Sequence, residues 1–326
     1  MSYRSIKTLA VAGALTVAAT AAFAQEINFG IISTESTANL KQLWDPFLAD
    51  MEKKTGLKVK GFFASDYAGV IEGMRFKKVD LAWFGNKSAM EAVDRANGEV
   101  FAQTVDKDGN PGYWSHIIVH KDSPYKTLED VLKCDRTLDF GIGDPNSTSG
   151  FLVPTTFIFS AKGIDPKTCF KTVRNGSHEV NALAVANKLV QAAANNNESL
   201  ARLKKTAPDK AAAIRVIWTS PLIPADPLVW RKDLSADLKK KIADFILTYG
   251  TKDEAERKII AALSWAPFRK SSDDQLLPIR QMEVNKAIAK ISADSTLSEA
   301  DKKAKIAPLQ AQFEELGKKI AALPRG

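Results

Sequence analysis

The chain has 326 residues, 45% hydrophobic and 26% charged, a globular balance that excludes a disordered or low-complexity protein. Its net charge of +8 comes from scattered lysines, with no basic stripe interleaved with aromatics, which argues against nucleic acid as a partner. Two cysteines and three histidines (His116, His120 and His178) show no zinc-type spacing, so neither a metal nor a cofactor is expected.

Residues 1–24 differ from everything that follows. Arg4 and Lys7 form a positive start, an alanine-rich apolar run begins at Leu9, and Ala22-Phe23-Ala24 has the small-x-small pattern of a signal-peptidase site. The run is too short and too rich in alanine for a membrane span. A signal peptide over 1–24 is expected, with a mature protein beginning near Gln25 and residing in the periplasm or outside the cell. Losing Arg4 and Lys7 lowers the net charge by two, to +6.

From Gln25 onward strands and helices alternate. Glu26 to Ser33 reads as a strand, and Asn39 to Lys54 as a helix with Leu40, Leu43, Trp44, Phe47, Leu48 and Met51 on one face. Leu57 to Phe63 is a strand, Asp66-Tyr67 opens a short helix, Val79 to Phe84 is a strand, and Asn86 to Ala96 a helix. Val100 to Val105 is again extended. This rhythm predicts a parallel sheet covered by helices.

The rhythm breaks twice, at Asp106 to Gly112 and at Pro221 to Pro227. Between the breaks lie strands at Tyr113 to His120, Thr137 to Ile142, Phe170 to Val173, Val190 to Ala194 and Ile214 to Thr219. Helices are expected at Thr127 to Leu132, Val180 to Lys188 and Leu200 to Ala213. After the second break the chain returns with Leu228 to Trp230 and a helix at Ala236 to Tyr249. Two lobes follow from this order: 25–111 with 226–280, and 112–225, with a helical extension over 281–326. A ligand in such sheets sits where strands end, between the lobes. Ser33-Thr34, Asp66-Tyr67, Phe84 to Asn86, Ser147 to Gly150, Asn195 to Glu198 and Pro224 to Asp226 are the strand-end loops.

The most informative of these is Gly141 to Gly150. A strand feeds a turn with three successive hydroxyls (Ser147, Thr148, Ser149) and then a helix at Phe151 to Phe159. A helix N-terminus offers unpaired N–H groups and positive potential, so this is an anion site in form. The competing reading makes Ser147 or Ser149 a helix cap only. Pro154 should kink or delay the helix. Cys134 and Cys169 precede adjacent strands in the second lobe, and a disulfide and two buried thiols are the alternatives there. At the end of the chain, Thr296 to Glu299 has a capping-box pattern. Ile306, Leu309, Phe313, Leu316, Ile320 and Leu323 then form a heptad-like seam. That seam either docks on its own molecule, including the helix around Val284 to Ile291, or pairs two copies into a homodimer.

Gly143 to Gly150, with Asp66 to Gly69, Ala82 to Asn86, Pro111 to Trp114, His178 to Asn187 and Pro221 to Asp226, resembles the phosphonate-binding proteins of bacterial ABC importers. The similarity runs from Phe29 to about Gln281. It implies a two-lobed type II periplasmic binding protein that closes on its ligand and delivers it to a permease and its ATPase. It also implies that Tyr67, Tyr113, Ser147, Thr148, Ser149 and His178 hold the phosphonate, while Glu198 and Asp226 hold the ammonium of a ligand such as 2-aminoethylphosphonate. Phe84, where the family can carry tyrosine, and Gln191-Ala192-Ala193, where it usually carries an aspartate-containing run, depart from the pattern and affect only the strand lining. A binder of phosphate or phosphite is the alternative function. A hydrolase using Ser147 as nucleophile and His178 as base is the alternative class.

Overall fold

The structure is a computed structural model that describes residues 25–323; the expected signal peptide lies outside the described residues. Among the described residues no helix is long and apolar enough to cross a membrane. The chain builds two open sheets with helices against them, the mixed α/β architecture expected from the sequence.

The six-stranded sheet runs in the order Trp265–Lys270, Gly98–Asp106, Pro227–Arg231, Leu81–Trp83, Glu26–Ile31, Lys58–Phe63. Its first-built half is parallel, as the alternation predicts. The wholly parallel expectation fails at Pro227–Arg231. This strand returns from the other sheet and inserts antiparallel between Leu81–Trp83 and Gly98–Asp106. The helix Glu254–Ala262 and the strand Trp265–Lys270, which the sequence reading does not anticipate, close this side of the sheet, also antiparallel. The core beneath is aromatic: Phe29, Trp44, Phe47, Trp83 and Trp265 are all within 2% of full burial and pack edge to face or tilted.

The five-stranded sheet runs Ile214–Thr219, Ser115–His120, Ala192–Asn196, Asp139–Ile142, Thr172–Asn175. Ala192, Ala193 and Ala194 are fully buried in it, and Phe140 stacks on Phe170 at 4.6 Å. The two connections between the sheets lie side by side, Gly112–Tyr113 pairing antiparallel with Ile223–Pro224.

Three local expectations change. The polar helix foreseen over 200–213 is two, Asn197–Thr206 and Pro208–Ala212, because Pro208 has no N–H to continue the first and instead starts the second. The helix after Gly150 widens into π-type turns, Thr148–Leu152 and Thr155–Phe159, on either side of Pro154, which cannot donate an ordinary helical bond. The final helix is Glu299–Ala321, capped by Ser298 on the Asp301 N–H, while Thr296 bonds Asp294 instead.

Cys134 and Cys169 are joined by a disulfide. The final helix packs antiparallel against Leu277–Ala293 of the same chain, with Leu316 buried and Gln281 donating to the Phe313 carbonyl at 3.2 Å. The seam thus meets its own chain, with Leu316 buried and the other five members half-buried. The hairpin is tied to the larger sheet by Arg280–Asp94 and Lys87–Glu283 ion pairs at 2.6 and 2.8 Å.

Candidate functional site

The site begins with a close backbone approach. A Cβ on Gly143 would lie 2.6 Å from the Gly150 Cα, and Gly143 N donates to the Gly150 carbonyl at 2.8 Å. The two glycines let the loop from 143 to 150 pinch shut, which aims the intervening hydroxyls toward the other sheet. Within it Asp144 accepts from Asn146 N at 2.7 Å, and Ser147 N donates to the Asp144 carbonyl at 2.8 Å.

Each of the three hydroxyls has a local partner and also lines one cavity. Ser147 caps the helix by accepting from Gly150 N at 3.0 Å, so the cap-only reading is correct as far as it goes. Thr148 reaches across and accepts from Lys87 N at 2.9 Å. It thereby caps the Asn86–Arg95 helix, whose own N-cap, Gly85, has no side chain to offer. Ser149 accepts from Asn196 Nδ2 at 2.9 Å. As each hydroxyl uses acceptor capacity in these bonds, its O–H remains a donor.

His178 opens the His178–Ala186 helix behind its cap Ser177 and is 3% exposed. Its Nε2 stands 3.4 Å from Ser147 Oγ and 3.5 Å from Ser149 Oγ. Burial lowers its pKa to about 4, with Glu35 raising and Arg202 lowering it in smaller measure, so the ring is neutral near pH 7. Asn195 and Asn196 brace it: Asn195 donates to the His178 carbonyl at 2.8 Å, and Asn196 both caps the next helix and lies 3.3 Å from Nε2.

Glu198 stands in the first turn of that next helix, Asn197–Thr206, and accepts from Trp265 Nε1 at 3.3 Å. Asp226 lies in the return loop beside Tyr113 and Trp83. Burial drives both carboxyls up from their ordinary values. Arg202 opposes this at Glu198, and the neighbouring Glu198 adds to it at Asp226. Asp226 Oδ1 is buried without a hydrogen-bond partner. The phenols of Tyr67 and Tyr113 are also pushed up by burial and stay protonated donors.

One narrow cavity is lined by all eight of the residues expected from the sequence: Tyr67, Tyr113, Ser147, Thr148, Ser149, His178, Glu198 and Asp226. Ile32, Thr34, Trp83, Gly85, Asn196 and Arg202 complete it. Each of the six strand-end loops contributes at least one of these residues. Arg202 was missed, although its spacing of four from Glu198 puts both on one helix face. His116 and His120 lie elsewhere, His116 against Thr219 at 3.1 Å and His120 near Asp122. Among the described residues no group of three or more His, Cys, Asp or Glu could hold a metal.

A family model for periplasmic phosphonate substrate-binding proteins of ABC transporters matches residues 29–276. The chain is 57% identical over 297 residues to the phosphonates-binding periplasmic protein of Escherichia coli, covering 91% of this chain and 87% of that one. A crystal structure of a binding-protein component of a Pseudomonas aeruginosa ABC phosphonate transporter superposes with a TM-score of 0.89 at 54% identity, over 91% of this chain and 98% of the other. A Prochlorococcus marinus protein solved in complex with methylphosphonate shares the fold at 24% identity and a TM-score of 0.71, over 80% and 99%. With the match spanning both sheets and every loop that reaches the cavity, the chain belongs to the periplasmic phosphonate-binding proteins of ABC transporters, which are substrate-binding components and not enzymes.

Proposed function

We propose that this protein captures aminoalkyl phosphonates, 2-aminoethylphosphonate foremost, for delivery to an ABC importer. Neutral donors take the phosphonate: the hydroxyls of Ser147, Thr148 and Ser149, the helix start behind them, the Tyr67 and Tyr113 phenols, and a ring N–H of His178. Glu198 and Asp226 take the ammonium. The observation that carries this reading is the unpartnered, buried Asp226 Oδ1 beside a second buried carboxyl in the same cavity as the hydroxyls. A buried carboxyl oxygen without a partner is costly, and a ligand ammonium is a group that satisfies it. Inorganic phosphate or phosphite brings no such group and adds negative charge beside two carboxyls.

Calorimetric titration with 2-aminoethylphosphonate, methylphosphonate, phosphate and phosphite tests this. The aminoalkyl ligand binds tightest; phosphate binding as tightly refutes the ammonium assignment.

The two sheets act as two lobes, 25–111 with 226–280 and 112–225, joined at the paired connections near Gly112 and Ile223. These are Gly- and Pro-rich segments suited to a hinge. Ligand should make the protein more compact in small-angle scattering, and an unchanged radius of gyration points to a rigid site. The packing of the C-terminal seam on its own chain favours a monomer.

A further inference from the structure

A short loop of the first lobe holds both second-lobe helices that carry His178 and Glu198. Glu35 accepts from Arg202 Nε at 2.7 Å and from Ser199 Oγ at 3.3 Å, and its other oxygen accepts from Thr34 Oγ1 at 2.5 Å. Arg202 lies one turn beyond Glu198 on the same helix, and its Nη2 donates to Ser199 at 3.0 Å. The Arg202 and Glu35 side chains are 6% and 8% exposed, a buried ion pair bridging the two sheets' domains. Beside it, Ser36 N and Asn39 Nδ2 donate to the Glu179 carboxylate at 2.6 and 2.5 Å, and Glu179 N donates to the Thr34 carbonyl at 3.2 Å. Glu179 is the residue after His178. So one clasp lies four residues from Glu198, and the other directly beside His178.

Glu35 and Glu179 do not line the cavity, and Arg202 spends its charge on Glu35 at its edge. A pair made between lobes contributes only when the lobes are together. When they part, both charges regain water at little cost. Its free energy therefore belongs to closure rather than to folding, and closure is linked to binding of any ligand that needs the closed cleft.

We propose that Glu35, Arg202 and Glu179 are positioning residues that clamp the Glu198 and His178 turns against the first lobe and set the affinity for every phosphonate alike. The identity of the ligand rests on the function proposed above; the clamp does not depend on the ligand's amino group.

The test compares the full mature protein with E35Q, E179Q and the double variant E35Q/R202Q, using 2-aminoethylphosphonate and methylphosphonate in stopped-flow and calorimetry. E35Q leaves Arg202 without its charge partner when closed, and loses about a hundredfold in affinity. E179Q keeps the neighbouring bonds in weaker form and loses about fivefold. Both losses fall on the dissociation rate, are the same for the two ligands, and leave the melting temperature of the ligand-free protein unchanged. E35Q/R202Q, with no buried charge left over, recovers part of the E35Q loss. A loss under about threefold for E35Q overturns the proposal, and so does a loss confined to 2-aminoethylphosphonate, which would put Arg202 at work on Glu198 alone. A melting temperature that falls in the ligand-free variants overturns it as well, since the pair would then serve folding. If wild-type protein shows no preference for the amino ligand, the function proposed above fails while the clamp is still measured with methylphosphonate.

Discussion

Replacing Asp226 with asparagine separates the two halves of the ligand. The substitution keeps the side chain's size and removes one carboxylate from a position that is 6% exposed and has an oxygen without a partner. Truncating one member of a buried charge pair costs about 2–5 kcal/mol, or about 30-fold to several thousandfold in affinity for 2-aminoethylphosphonate. Methylphosphonate has no ammonium. It should bind D226N as well as wild type or better, because a carboxyl that repels the anion has gone. Burial and Glu198 hold the Asp226 carboxyl above its ordinary range, and an ammonium placed beside it pulls it back down. At a pH where the carboxyl is still partly protonated, titration in buffers of differing ionisation enthalpy therefore shows proton release on binding 2-aminoethylphosphonate. Affinity for that ligand rises with pH until the pair is ionised, and D226N lowers the released proton count. Equal losses for both ligands would refute the reasoning, because Asp226 would then be shaping the cavity rather than meeting a cation.

Three further outcomes follow from other parts of the molecule. His178 is neutral in the fold down to about pH 4 but takes a proton near its ordinary 6.5 when unfolded, so its contribution is full above that range and is lost as pH falls through it. The difference is worth about 3 kcal/mol, and urea denaturation of wild type against H178Q should show a shallower loss of stability between pH 6.5 and 4 in the variant. The Cys134–Cys169 disulfide, at a sequence separation of 35, stabilises by about 4 kcal/mol through the unfolded chain; denatured, unreduced protein should titrate without free thiols, and C134S/C169S should unfold at lower urea. Sedimentation at several concentrations should give a monomer for the full mature chain, and a concentration-dependent dimer would show that the seam has a second partner.

Much of the site was legible because its residues occupy helix starts. Ser147 caps a helix, Tyr67 and His178 open theirs, and Glu198 lies in a first turn. Such positions carry a signature of residue type and of an apolar run ending nearby. Sheet direction was less legible, because an apolar run such as Leu228-Val229-Trp230 reads the same whichever way it enters a sheet. Trp265 and Arg202 were missed for a related reason. Their partners, Glu198 and Glu35, are 67 and 167 residues away, and only the approach of two separately built sheets brings them together.

Thr148 shows why the cavity and the contact between the two sheets cannot be assigned to separate residues here. From the sequence it is the middle hydroxyl of an anion loop. In the fold it is also the missing cap of a helix on the opposite sheet, bonded to Lys87 N. Gly85 provides the room, since even a Cβ there would come within 3.2 Å of the Thr148 hydroxyl. The bond joins the two sheets, and it engages the same hydroxyl that lines the cavity. Under the function proposed above, removing that hydroxyl with T148V withdraws a ligand donor and also leaves the Asn86–Arg95 helix start uncapped. Its effect on affinity should exceed that of a donor lost from Ser149, whose partner Asn196 belongs to its own lobe.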